Sequence, residues 1–133
     1  MKLAVTYPDP ERVVRDYLAA VMGDQATVGI GVPGDWTPSA GPHLQVATDG
    51  MFMAGHPVYG EATVRIVAWA ASPTEAKRLA QLAQGHLLAH PGDGTIARTR
   101  PLVGLLPSRD FQTNAETASV TVRVSLRSVP IEP

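Results

Sequence analysis

The segment "ASVTVRVSLR" at residues 118–127 limits the folds open to this chain more than any other feature. Aliphatic residues alternate there with polar ones, at Val120, Val122, Val124 and Leu126. Side chains two residues apart share one face of a β-strand, so the segment predicts a strand with one apolar and one polar face. Such a strand belongs to a sheet that is covered on one side and faces water or a partner on the other.

Two segments predict the helices that cover this sheet. The first runs from about Pro10 to Met22, because Asp9 can cap it, a proline suits its first turn and Gly23 can end it. The second begins at "SPTE", residues 72–75, which combines an N-cap serine, a first-position proline and a capping-box glutamate. An apolar stripe follows at helical spacing, formed by Ala76, Leu79, Ala80, Ala83 and Leu87.

Shorter apolar runs predict the remaining strands. They lie at residues 28–32, 43–48, 61–70 and 95–99. The strands at 43–48 and 61–70 are expected to pair as a hairpin around a long loop, residues 49–60. Residues 1–133 are therefore predicted to form a single α+β domain, with two helices packed on one face of a mostly antiparallel sheet of four to five strands.

Composition excludes several classes of protein. The 133 residues include no cysteine, which rules out disulfides and thiolate metal sites. No apolar run approaches the roughly 20 residues that span a bilayer, so no membrane partner is expected. The formal net charge is -1, and the basic residues form only short pairs, Arg98 with Arg100 and Arg123 with Arg127. A sequence-specific nucleic-acid partner is therefore not predicted.

The segment "GIGVPG", residues 29–34, matches the G-x-G-x-x-G pattern of dinucleotide-binding proteins. That motif works only where the glycines open a helix whose N-terminus faces the pyrophosphate. Here Pro33 and Pro38 follow, and no helical periodicity appears for many residues. The segment is better interpreted as a strand running into a turn, and no cofactor is predicted.

Two histidines, His86 and His90, stand four residues apart, a spacing that can place both on one helix face as metal ligands. A zinc protease would also need a glutamate beside the first histidine, and position 87 is a leucine. His90 falls within the apolar stripe and His86 at its edge. Both are therefore expected to pack under the rim of the sheet or to bond carbonyls at the helix end, and no metal site is predicted.

Nothing in the sequence singles out a catalytic group. There is no G-x-S-x-G elbow, and no serine lies in a recognisable nucleophile setting. Four aspartates stand in turns rich in glycine and proline, where aspartate is common for backbone reasons: Asp35, Asp49, Asp93 and Asp110. No catalytic residue and no enzymatic activity are predicted; a small metal- or ligand-binding α+β enzyme is the alternative from a different class.

The loop "DGMFMAGHPVYGE", residues 49–61, is unusually apolar. Its large apolar residues are Met51, Phe52, Met53, Val58 and Tyr59. Either the loop folds these side chains back onto the helices, or it is a contact arm, since methionine and aromatic residues are enriched in interfaces. Val67 and Trp69, facing away from the covered side of their strand, add a second apolar surface. We predict these seven residues as a subunit or tube interface.

The order of these segments resembles the tail terminator proteins of long-tailed (siphovirus-type) bacteriophages, most of all those of actinobacteriophages. The resemblance covers about residues 10–128. It consists of "VVRDYLAAV", "VPGDW", "GPHLQVATDG", "VRIVAWAASPTEAKRLAQLAQGHLLAH", "GLLPSRD" and "VTVRVSLR", in that order.

Membership of that family implies a non-enzymatic subunit of a hexameric ring in the virion tail, assembled in the host cytoplasm. Such a ring caps the tail tube, ends its polymerisation and joins it to the head. Its implied partners are other copies of itself, the tail tube protein and the head–tail connector protein. DNA can pass through the ring. By position, Gly50 to Gly60 would reach a neighbouring subunit or the tube, and Val32 to Trp36 would lie at the sheet's edge. Met51 stands where a second glycine is expected. Another head–tail connector or tail completion ring protein is the nearest alternative.

Overall fold

The computed structural model describes residues 4–132. Its helices are α1 (Pro10–Met22) and α2 (Pro73–Leu88), with two short 3-10 helices at Gly23–Gln25 and Pro38–Ala40. Its strands are β1 (Val5–Thr6), β2 (Thr27–Gly29), β3 (His43–Phe52), β4 (Tyr59–Ala70), β5 (Ile96–Arg109), β6 (Glu116–Arg127) and β7 (Val129–Pro130).

Five strands form one sheet in the order β2-β3-β4-β6-β5. Every neighbouring pair is antiparallel except β2 with β3, which is parallel. β1 and β7 form a separate antiparallel pair that ties the two ends of the described chain together. The predicted α+β fold, with two helices on a mostly antiparallel sheet, is confirmed.

Both helices begin at the predicted caps. The Asp9 carboxylate accepts the Glu11 N–H at 3.0 Å, and the Ser72 hydroxyl oxygen accepts the Glu75 N–H at 3.2 Å. α1 packs mainly on β3 and β2, and α2 packs on β4, β5 and β6, so the two helices cover one face of the sheet side by side. No helix among residues 4–132 is long and apolar enough to cross a membrane.

The core lies between this pair of helices and the sheet. From β6, the four aliphatic residues of the alternating segment are buried there, as predicted. The other large, fully buried side chains include Val14, Leu18, Met22, Leu44, Val46, Val64, Ile66, Leu79, Leu87 and Ile96. The odd-numbered residues of β4 and β6 point to the opposite side, which we call the open face.

The hairpin between β3 and β4 is longer than the sequence predicts. Strand pairing continues to Phe52 and resumes at Tyr59, so residues 53–58 alone form the loop. A bulge between Thr48 and Met51 makes this possible, with Gly50 at a φ of +127°, a conformation that favours glycine. The bulge turns Met51 toward the helices and Phe52 toward the open face, since their partners are Ala62 and Glu61.

β2 is shorter than predicted: it ends at Gly29, and the His43 ring contacts the chain just beyond that end. One ring nitrogen lies 2.7 Å from the Thr27 hydroxyl and the other lies 2.7 Å from the Gly31 carbonyl oxygen. A Cβ on Gly29 would lie 3.1 Å from that same oxygen, so a glycine suits this close approach. No α-helix follows this segment, which agrees with its interpretation as a strand running into a turn.

β5 shows the largest difference from the sequence prediction, which ended this strand at residue 99. The strand continues to Arg109 through "PLVGLLP", residues 101–107. Proline and glycine weaken a strand in the middle of a sheet but are tolerated at its border. Two interruptions in the pairing of β5 with β6 lie within this segment, between Pro101 and Val103 and between Val103 and Leu106.

Candidate functional site

The outer border of β5 is the longest exposed apolar segment of the sheet. β5 has a neighbouring strand on one side only, β6. Within residues 101–107, Leu102, Val103 and Leu106 are 44%, 38% and 57% exposed. We call residues 101–107 the β5 edge segment; at about 3.3 Å per residue it is roughly 23 Å long. A long, apolar border strand is a template on which another chain can add a strand.

Contacts from α2 and from two turns hold β5 in place. The Gln84 side-chain amide, on α2, donates to the Val103 carbonyl at 3.1 Å, next to two of the pairing interruptions. At the start of β5 the Asp93 carboxylate accepts the N–H groups of Thr95 and Ile96 at 2.8 and 2.7 Å. Both backbone bonds, Ile96 first, lower the pKa of Asp93 below its ordinary value.

The turn that follows β5 is also held by an aspartate side chain that accepts hydrogen bonds from the turn. Asp110 accepts both the hydroxyl and the N–H of Thr113, at 2.6 and 2.8 Å. These bonds, the hydroxyl first, lower the pKa of Asp110. β5 is therefore fixed at both ends by charged aspartates, while its outer border is left uncovered by the described chain.

The opposite border of the sheet is protected. β2 contributes only three residues and pairs with β3 only from His43 to Gln45. Further along β3, the Glu11 carboxylate accepts both the N–H and the hydroxyl of Thr48, at 3.2 and 3.1 Å. A charged side chain thus occupies a border position of β3 where another strand could otherwise bind.

Three of the seven predicted interface residues are more than half exposed. Phe52, Met53 and Val58 are exposed by 54%, 52% and 70%, and we call these three the loop patch. The Val58 carbonyl accepts the Ser128 N–H at 3.1 Å, which brings the chain after β6 to the same end of the sheet. Further apolar side chains in that following segment, Val129 and Ile131, are also about half exposed.

Two other predicted interface residues have mainly internal contacts. Met51 is partly buried and packs against the core. The Tyr59 ring is half-buried and lies directly over Gly55, where an added Cβ would clash with a ring carbon. Both residues therefore shape the loop from inside, and their predicted role at an interface stays a prediction.

The last two predicted residues, Val67 and Trp69, are half-buried on the open face. The Trp69 indole N–H donates to the Gln45 side-chain oxygen at 3.2 Å, and its ring meets the Trp36 ring edge-on at 5.9 Å. Trp36 itself is buried, so the loop between β2 and β3 covers much of this surface. Sequence reasoning missed this cover, although an aromatic residue in a loop rich in glycine and proline was a possible signal.

The two predicted histidines lie at the end of α2, His86 in its last turn and His90 beyond it. His90 lies beyond the helix, where its Nδ1 accepts the Gly92 N–H at 2.9 Å and its ring packs edge-on against Tyr17. The Tyr17 hydroxyl donates to the carbonyl of His86. The sequence placed His90 on the apolar stripe of the helix, whereas α2 ends at Leu88; its side chain is nevertheless buried. Among residues 4–132, no three histidine, cysteine or acidic residues are grouped as metal ligands.

A polar cluster on the open face was not foreseen from the sequence. The Glu61 carboxylate, 10% exposed, lies 3.1 Å from an Arg100 nitrogen and 3.3 Å from an Arg123 nitrogen. The Ser125 hydroxyl donates to the same carboxylate at 3.4 Å. The residues of this cluster come from three strands, so only their pairing brings them together.

Comparisons with known proteins add no relative: a scan against models of protein families and a search of curated proteins both find no match to this chain.

Proposed function

We propose that this protein is a phage tail terminator, a subunit of a hexameric ring that caps the tail tube, ends its polymerisation and provides the surface for head–tail joining. The observation that carries the proposal is the β5 edge segment, which leaves an apolar strand border open over roughly 23 Å. The resemblance of residues 10–128 to the tail terminator family supports the proposal from the sequence.

Ring formation requires each subunit to present two different surfaces that fit each other. The β5 edge segment is one of them, because a neighbour can add backbone hydrogen bonds to it and bury its leucines. The loop patch is the other. It lies at the end of β3, whereas β5 is the border strand on the other side of β4 and β6. Contacts between unlike surfaces repeat from copy to copy, and they close into a ring where the rotation between neighbouring copies allows it.

The ends of the strands provide surfaces for the tube and the connector. β4 spans twelve residues, which corresponds to roughly 40 Å at 3.3 Å per residue. Val129 and Ile131, about half exposed, lie at one end of this length. The turn between β5 and β6 lies at the other, where Phe111 is 90% exposed. A ring of such subunits would offer different apolar groups to the tail tube protein and to the head–tail connector protein in the virion tail.

Native mass spectrometry and negative-stain electron microscopy of the purified protein test the proposal. We expect rings with about six times the 14.1 kDa mass of the subunit. Addition of the protein to polymerising tail tube protein should shorten the tubes, which distinguishes a terminator from another connector or tail completion ring. A strict monomer at high concentration that neither binds tube ends nor shortens tubes would contradict the proposal.

A further inference from the structure

The open face of the sheet brings together arginines that are separate in the sequence. Arg100 on β5 stands opposite Arg123 on β6, and Arg98 stands opposite Ser125. Arg127 follows on β6, on the same face as Arg123. We call these four residues the arginine cluster: Arg98, Arg100, Arg123 and Arg127.

Glu61 makes the cluster compatible with a stable sheet. Like charges directly opposite each other destabilise paired strands, and the Glu61 carboxylate, held between Arg100 and Arg123, offsets that repulsion. One carboxylate does not neutralise the whole group. Four positive charges and one negative charge give these five residues a formal charge of +3, on a protein whose net charge is -1. The charged Asp93, whose carbonyl Arg127 contacts, lies beside them and reduces the local charge.

The cluster retains charge and donors for a ligand. The Nε of Arg123 has no acceptor among the described residues but is shielded from solvent, so the exposed guanidinium groups supply the donors. Arg98 and Arg127 are exposed, and the Nε of Arg127 donates to a neutral group, the Asp93 carbonyl, at 2.7 Å. Each guanidinium carries five N–H donors in a planar fork that matches phosphate oxygens.

An exposed aromatic ring adjoins the cluster. The Phe52 ring lies 5.9 Å from the Arg123 guanidinium carbon and is 54% exposed. In proteins that bind single-stranded nucleic acid, phosphates contact arginines while a base stacks on an adjacent exposed ring. Both helices pack on the other face of the sheet, so no helix is available here to enter the groove of a duplex.

We infer that the arginine cluster and Phe52 form a binding site for single-stranded nucleic acid without sequence preference. The arginines bind the phosphate backbone, and Phe52 stacks on one base. The site goes beyond the proposed ring function, and every contributing residue belongs to one copy of the chain. Because Phe52 also belongs to the loop patch, nucleic acid and a neighbouring subunit would compete for its ring. Binding should weaken steeply with added salt, as for other contacts with phosphates.

Fluorescence polarisation with a labelled thymidine oligonucleotide of about 20 nucleotides tests this inference, with a duplex of the same length and heparin as separate arms. The variant Arg98→Gln/Arg127→Gln removes two exposed charges that do not contact Glu61. Its affinity for the oligonucleotide should fall about tenfold or more, and its log–log salt slope should decrease by about 1.4. The matched control, Arg12→Gln/Arg15→Gln on α1, removes the same charge from the helical side and should leave binding within about twofold.

A second variant separates stacking from charge. Phe52→Leu keeps an apolar side chain but removes the ring, and should weaken oligonucleotide binding about fivefold or more without a change in thermal unfolding. Equal weakening by the arginine pair and its control would overturn the inference. So would tighter binding of duplex or heparin than of the oligonucleotide, because the site would then select charge density and not a single strand.

Discussion

β2 and β5 both border the sheet, but β2 contributes three residues and β5 contributes fourteen. At the β2 border, the His43 ring contacts the Gly31 carbonyl just after the strand ends, and the Glu11 carboxylate accepts the N–H and hydroxyl of Thr48. The β5 border carries exposed leucines and is fixed at both ends by aspartate turns. Natural proteins usually protect their sheet borders against pairing with other chains. With one border protected and the other open, the proposed association is expected to use the open border.

The largest expected effect comes from placing charge on the open border. Leu102→Lys/Leu106→Lys should convert the ring to monomers, because two lysines would be buried against a neighbour. Both leucines are exposed in the single subunit, so the free energy of unfolding should change by only about 0.5 kcal/mol. Sedimentation velocity and chemical denaturation measure the two quantities.

The matched control places two lysines near the protected border, at Gln25→Lys/Ala40→Lys, both exposed positions. This variant should retain the ring. Equal loss of assembly in the two variants would show that added charge, and not the β5 edge segment, dissolves the ring.

A smaller effect is expected from opening the protected border. His43→Ala removes a buried ring that holds both Thr27 and the Gly31 carbonyl. The free energy of unfolding should fall by about 1–3 kcal/mol, and amide exchange should rise at residues 27–29 and at the border of β3. Unchanged exchange at these residues would mean that His43 does not protect this border.

The smallest effect concerns acid. Asp93 and Asp110 have pKa values below their ordinary 3.8 in the folded protein. Each therefore stabilises the fold at pH values above the ordinary pKa. That contribution is lost as the pH falls through the lowered pKa. Amide exchange at both ends of β5 should therefore increase below about pH 4, whereas β2 should not respond. Asp93→Asn should remove the response at the start of β5; if it persists there, another group is responsible.

Much of the fold was predictable because its signals are local. Asp9 and Ser72 cap their helices, and the alternation in β6 marks a strand with one covered face. The β5 edge segment has no comparable signal. The segment contains Pro101, Gly104 and Pro107, each of which argues against a strand. It belongs to the sheet because it pairs with β6, a strand that comes later in the sequence.

The candidate surfaces were predictable to a lesser degree. An apolar loop indicated Phe52, Met53 and Val58, which are indeed exposed, and their role in assembly stays a prediction. The contact between Glu61 and Arg100 joins residues 39 positions apart. Such a contact depends on strand register across the whole sheet, which no local pattern in the sequence specifies.

The central claim is that unlike surfaces of this protein join head to tail, and mixing two blocked variants tests it most directly. One variant carries Leu102→Lys/Leu106→Lys on the β5 edge segment; the other carries Met53→Asp/Val58→Asp on the loop patch. Native mass spectrometry should show each variant alone as a monomer and the mixture as a one-to-one heterodimer, since each supplies the surface that the other lacks. If the β5 edge segments instead pair with each other, the loop-patch variant will dimerise alone and the mixture will contain no heterodimer, which would contradict the account.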